Sequence, residues 1–179
     1  GDGGGSIRIP AGFTGMVGLK ATIGRIPRGP MAQYGNLTVT VGCLSRSVRD
    51  TARWFDVCNG FDARDPLSLP SVSGWETGLG SHVDSLRGAR VVIDPTWGNA
   101  VASPVMWELL QAAAQELVAD LSMQRVEQFD TTLPFMGAAW ALSGNLGIEA
   151  QLADVWPACA EDLTPEIRFG MEMAVGKYD

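Results

Sequence analysis

Asp2-Gly3-Gly4-Gly5-Ser6-Ile7-Arg8-Ile9-Pro10-Ala11 is the sharpest local feature of this 179-residue chain. Three consecutive glycines leave backbone N–H groups unobstructed by side chains. Such a run can curl until several N–H groups converge on one point, a geometry suited to a phosphate or a transition-state oxyanion. The serine directly after it places a hydroxyl beside that point. A nucleophile with donors beside the developing charge is what acyl transfer requires.

The phosphate readings fail on detail. A P-loop needs Gly-Lys-Ser/Thr after four spacer residues, and here Lys20 follows Leu19. The dinucleotide pattern G-x-G-x-x-G needs glycine at position 8, which is Arg8. A G-x-S-x-G nucleophile elbow fails at the same residue. The plain structural alternative is a Gly-rich turn in which Ser6 caps the following segment.

Outward from the loop, composition divides the chain. Eleven of the 22 glycines lie in residues 1–42, and residues 1–60 carry seven basic and three acidic side chains. The remainder carries six and seventeen, so a Gly-rich working region precedes an acidic body. The net charge of −7 argues against a nucleic-acid or anionic-membrane binder, which would show a basic footprint. Cys43, Cys58 and Cys159 have no C-x-x-C spacing and read as reduced thiols, pointing to the cytoplasm. His82 is the only histidine, which disfavours a zinc site. The longest uncharged run, Thr131–Ile148, is too polar and glycine-broken for a membrane span.

Periodicity predicts strands over Met16–Thr22, Asn36–Leu44, Ala89–Ile93 and Gln124–Phe129. It predicts helices after Ser47 and after Ser103-Pro104, from Pro134 to about Val155, and from Pro165 to about Ala174. The first places Val48, Ala52, Phe55 and Cys58 at helical spacing. The second places Met106, Leu109, Leu110, Ala113, Leu117 and Leu121 on one face. Residues 61–88, rich in Pro, Ser and Gly, read as a long connection. Strands alternating with helices indicate an α/β layered fold.

The loop, continued by Gly15-Met-Val-Gly-Leu-Lys20 and Gly24-Arg-Ile-Pro27, resembles the central signature of the amidase signature family. Three later pieces are similar to that family too: Val41-Gly-Cys-Leu-Ser-Arg-Ser-Val-Arg-Asp50, Asp62-Ala-Arg-Asp-Pro66 and Leu86-Arg-Gly-Ala-Arg90. The resemblance implies α/β/α layers around a mixed sheet, with residues 1–179 forming one partial domain. It implies hydrolysis of a small-molecule amide by a Ser–Ser–Lys triad, with no metal or organic cofactor. Ser6 matches the nucleophile, and Gly3, Gly4, Gly5 and Ser6 match the oxyanion-hole amides. Asp2 and Arg8 match a charged pair expected to hold the loop's shape.

The family's lysine and bridging serine lie upstream of its nucleophile. Only five residues precede Ser6 here, so the chain is expected to be a middle slice of such an enzyme, and nearly inactive alone. Among substitutes for the missing base, Lys20 reads as a strand-end residue, Lys177 as a terminal one and His82 as a surface residue. Cys43 and Cys58 read as small core hydrophobes. Trp54, Trp107, Trp140 and Trp156 read as helix packing, whereas Trp75 and Trp97, in connections, are the candidate walls of a substrate pocket. A non-catalytic amidase-like binding domain is the alternative of another class. A tRNA-dependent glutamine amidotransferase is a third reading, disfavoured by Ile9 where that subfamily typically carries Gln. A homo-oligomer is compatible with all three.

Overall fold

A computed structural model describes residues 1–29 and 39–176. The chain falls into two units, Gly1–Thr77 with Gly137–Asp179, and Gly78–Met136.

In the first unit the glycine-rich run leads into a helix that periodicity did not reveal, α1 (Arg8–Thr14). Pro10 lies in its first turn, where a missing N–H breaks no helical bond. Gly15 ends it in the left-handed conformation at φ 65°, donating its N–H to the Ala11 carbonyl. Ile7 and Ala11 are buried beneath the loop. They lie against two glycines: a Cβ on Gly42 would stand 2.6 Å from Ile7 Cδ1, and one on Gly18 2.6 Å from Ala11 Cβ.

The first ladder is β1 (Val17–Gly18) antiparallel to β2 (Leu44–Ser45), with Val17 opposite Ser45. An isolated bridge joins Asp2 to Thr40. Of the expected strand Asn36–Leu44, residues 36–38 lie outside the described ones, and among the described residues only Leu44 joins the ladder, with Thr40 in the isolated bridge.

The helix α2 (Val48–Cys58) begins where expected. Ser47 Oγ accepts the Asp50 N–H at 3.1 Å and donates to Asp50 Oδ2 at 2.8 Å. Ala52 and Phe55 are buried and Cys58 half-buried, but Val48 is exposed. Phe55 joins Ala21 and Ile26 in a small core, with Val41, Trp54 and Cys58 packed around it.

Two of the sequence pieces interlock. Gly24 (φ 79°) accepts the Leu69 N–H at 2.9 Å, and its α-carbon lies so close to Leu67 that a Cβ would stand 1.9 Å from that carbonyl oxygen. The buried Asp65 carboxylate accepts the Arg28 N–H at 2.8 Å and the Leu67 N–H at 3.0 Å. The Gly24–Pro27 and Asp62–Pro66 segments thus form one knot, inside the region read as an open connection. In the same unit α4 (Gly137–Leu152) packs on α5 (Pro165–Ala174), where Gly170 leaves room for the Asn145 side chain. Trp156 falls in a turn after α4, not in the expected helix.

The second unit is a strand–helix–strand unit. Here β3 (Arg90–Val91) pairs in parallel with β4 (Gln124–Arg125), joined by α3 (Pro104–Asp120). Asp94 closes a turn after β3 by accepting the N–H and hydroxyl of Thr96 and the hydroxyl of Thr131, which lowers its pKa to about 2. The face of α3 expected to be buried is open among the described residues, with Met106, Leu109, Leu110 and Leu117 all exposed. Helices alternate with one antiparallel and one parallel ladder, a partial α/β fold. No described helix is long and apolar enough to cross a membrane.

Candidate active site

The loop is organised by one buried carboxylate. Asp2 is wholly buried and anchored through its backbone to Thr40 by bonds of 2.8 and 3.0 Å. Its Oδ1 accepts the Gly5 N–H at 2.7 Å, and its Oδ2 the Ile7 N–H at 3.2 Å. Arg8 completes the shell, donating from Nε to Oδ2 at 2.9 Å and from Nη2 to Oδ1 at 3.0 Å. The Arg8 guanidinium, aided by the backbone donors, holds the Asp2 carboxyl far below the usual carboxylate range. The chain between Asp2 and Arg8 must therefore curl around the carboxylate.

That curl sorts the four backbone amides. Gly5 is buried, turned to φ 129°, and its N–H points into Asp2. Gly4 and Ser6 are exposed and Gly3 half-exposed. The N–H groups of Gly3, Gly4 and Ser6 donate to no described residue.

Ser6 differs from what a capping role would require. The residue at the N-cap of α1 is Ile7, and no side chain caps that helix. The Ser6 hydroxyl is exposed and makes no hydrogen bond with a described residue. Lys20 is half-buried after β1 and forms no ion pair with a described residue. His82 is exposed in the other unit, its carbonyl accepting from Ser85. Lys177 lies outside the described residues.

The other candidates resolve by contact. Cys43 and Cys58 are half-buried thiols, and burial pushes the Cys43 pKa up, the opposite of what a nucleophilic thiolate needs. Trp75 covers the core, its ring 5.8 Å from Phe55. Trp97 is exposed in the second unit at φ 45°. The indole that does meet the loop is Trp140, on α4: a Cβ on Gly4 would stand 3.0 Å from its Cζ2. Its helical setting gave no sign of this, since the contact joins residues 136 positions apart. Among the described residues no three His, Cys, Asp or Glu side chains group as metal ligands would.

A family model described as Amidase matches residues 1–153. The chain is similar to a glutamyl-tRNA(Gln) amidotransferase subunit of Oleidesulfovibrio alaskensis, 42% identical over 106 residues, covering 58% of this chain and 22% of that protein. It is 33% identical over 131 residues to the protein of the same name from Methanococcoides burtonii, covering 73% and 27%. Among solved structures it superposes on a bacterial aryl acylamidase of the amidase signature family at TM-score 0.77 and 24% identity, covering 99% of this chain and 38% of that one. The chain thus spans about a quarter of the curated relatives it matches.

Proposed function

The chain belongs to the amidase family, and from that premise we propose that it carries the nucleophile and oxyanion loop of an amide hydrolase. Ser6 Oγ attacks the amide carbonyl carbon. The resulting oxyanion accepts N–H groups from Gly3, Gly4 and Ser6. Gly5 serves differently from its neighbours: its N–H is spent on Asp2, so its part is the turn that exposes the other three. The proton leaving Ser6 must reach the departing amine, since an amide anion is a very poor leaving group; water then releases the acyl group from Ser6. The family resemblance assigns that relay to a lysine and a bridging serine, and neither matches any of these 179 residues.

One observation carries the reading. An exposed serine hydroxyl with no partner among the described residues sits in a curl whose neighbouring amides donate to no described residue, while the one buried amide is tied down. The test is turnover of simple amides by the full-length protein and by Ser6→Ala. The variant should keep its fold and lose at least about 10³-fold in kcat. Retained turnover removes Ser6 from the reaction.

The names of the curated relatives favour a second reading, in which the same serine takes ammonia from an amide for transfer. Against it, Ile9 presents an exposed apolar side chain beside Gly5. Ammonia release from glutamine, compared with release from apolar amides, separates the two.

A further inference from the structure

The loop has two apolar neighbours. The benzo edge of Trp140 takes the space a Gly4 side chain would fill, with Cζ2, Cη2 and Cε2 at 3.0, 3.3 and 3.5 Å from an ideal Cβ. Ile9 does the same at Gly5, its Cδ1 at 2.6 Å. Both side chains remain open, Trp140 at 50% and Ile9 at 57% of full exposure.

Two other tryptophans of this unit have an evident packing role. Trp54 and Trp75 lie edge-on and tilted against buried Phe55, at 5.5 and 5.8 Å. Trp140 has no such partner among the described residues, and no residue of α4 is buried. A large aromatic surface held open against a backbone loop is a surface prepared for contact. The loop's own charges, Asp2 and Arg8, are spent on one another, which leaves apolar contact as the means of recognition its described residues offer.

We propose that Trp140 is a specificity-determining wall for the acyl group of the substrate, which makes amides of flat aromatic acids the preferred class. The proposal rests on the reading of Ser6 as nucleophile. An aromatic acyl group stacks on the free indole surface while its carbonyl oxygen faces the Gly3, Gly4 and Ser6 amides.

Boronic acids test this without turnover. Ser6 Oγ forms a bond to boron, its proton passes to solvent, and boron becomes tetrahedral and anionic beside the oxyanion donors. The organic group on boron stands for the acyl group. Dissociation constants of phenylboronic and methylboronic acid are measured for the full-length protein, Trp140→Leu, Trp140→Phe and Ser6→Ala, each checked for fold by circular dichroism.

The wild type should prefer the phenyl compound, and Trp140→Leu should cut that preference about 5–10-fold, the scale of an aromatic pair. Trp140→Phe should keep most of it and supplies the comparison if Trp140→Leu does not fold. Ser6→Ala should lose both compounds. An unchanged preference in Trp140→Leu, with Ser6→Ala losing both, overturns the wall alone. Equal binding of both compounds by Ser6→Ala and wild type, or binding of neither by wild type, overturns the Ser6 reading and the wall with it.

Discussion

Asp2 and Arg8 close the glycine loop into a ring: two guanidinium nitrogens reach the two oxygens of one buried carboxylate, at 2.9 and 3.0 Å. The pair spans the nucleophile candidate without touching its hydroxyl. Loop shape and chemistry are thereby separated, and each can be altered alone.

Asp2→Asn keeps the side-chain volume but removes the charge and turns one acceptor into a donor. Facing the Gly5 N–H or Arg8, that donor finds no acceptor. We expect a loss of about 1.5–3 kcal/mol, the range for hydrogen bonds to a charged group. A fall of about 10-fold or more in kcat should accompany it. Urea denaturation and steady-state kinetics on one preparation check both.

The same carboxylate makes stability depend on pH. The folded-state pKa of Asp2 is depressed below the ordinary 3.8, chiefly by Arg8, and that of Asp65 chiefly by the Arg28 N–H. A depressed pKa stabilises the fold above the unfolded value, and that stability is lost as pH falls toward the folded one. The urea midpoint should therefore hold from pH 7 to about 5 and drop steeply below about 4. In Asp2→Asn the drop should be shallower.

Gly5→Ala should cost about 10²-fold in kcat, because distorting the turn moves a neighbouring N–H, of Gly4 or Ser6, off the oxyanion, the scale of losing one aimed donor. At φ 129° an alanine is strained, and its methyl also meets Ile9 Cδ1 at 2.6 Å. The double variant Gly5→Ala/Ile9→Ala removes the crowding and leaves the strain. We expect activity to stay low in it; full recovery would assign the loss to crowding.

Gly24→Ala should destabilise by more than about 2 kcal/mol, since a left-handed φ and a carbonyl 1.9 Å from the new methyl both oppose it. Gly144→Ala on α4 meets nothing within 4 Å and should stabilise by up to about 1 kcal/mol. Thermal melts of the two variants give the contrast.

Local features were legible where they depended on neighbours in sequence. Ser47 caps α2, and Pro165 opens α5, as their residue types require. The helix α1 was hidden because glycines and Pro10 read as loop, and its formation depends on Asp2 gathering the N–H groups of Gly5 and Ile7. The charged pair around the loop was legible through the family resemblance. The division of labour among Gly3, Gly4 and Gly5 was not, since it follows from backbone angles that all glycines permit. The contacts of Trp140 with Gly4 and of Trp75 with Phe55 were not legible, since each joins residues distant in sequence.

The central claim is that Ser6 is the nucleophile, and the position of a covalent label tests it most directly. The full-length protein is treated with a fluorophosphonate and digested, and the modified residue is located by peptide mass spectrometry. The account predicts one modified serine, Ser6, and no labelling of Ser6→Ala. Labelling at another residue that persists in Ser6→Ala, with amide turnover lost on modification, would contradict it.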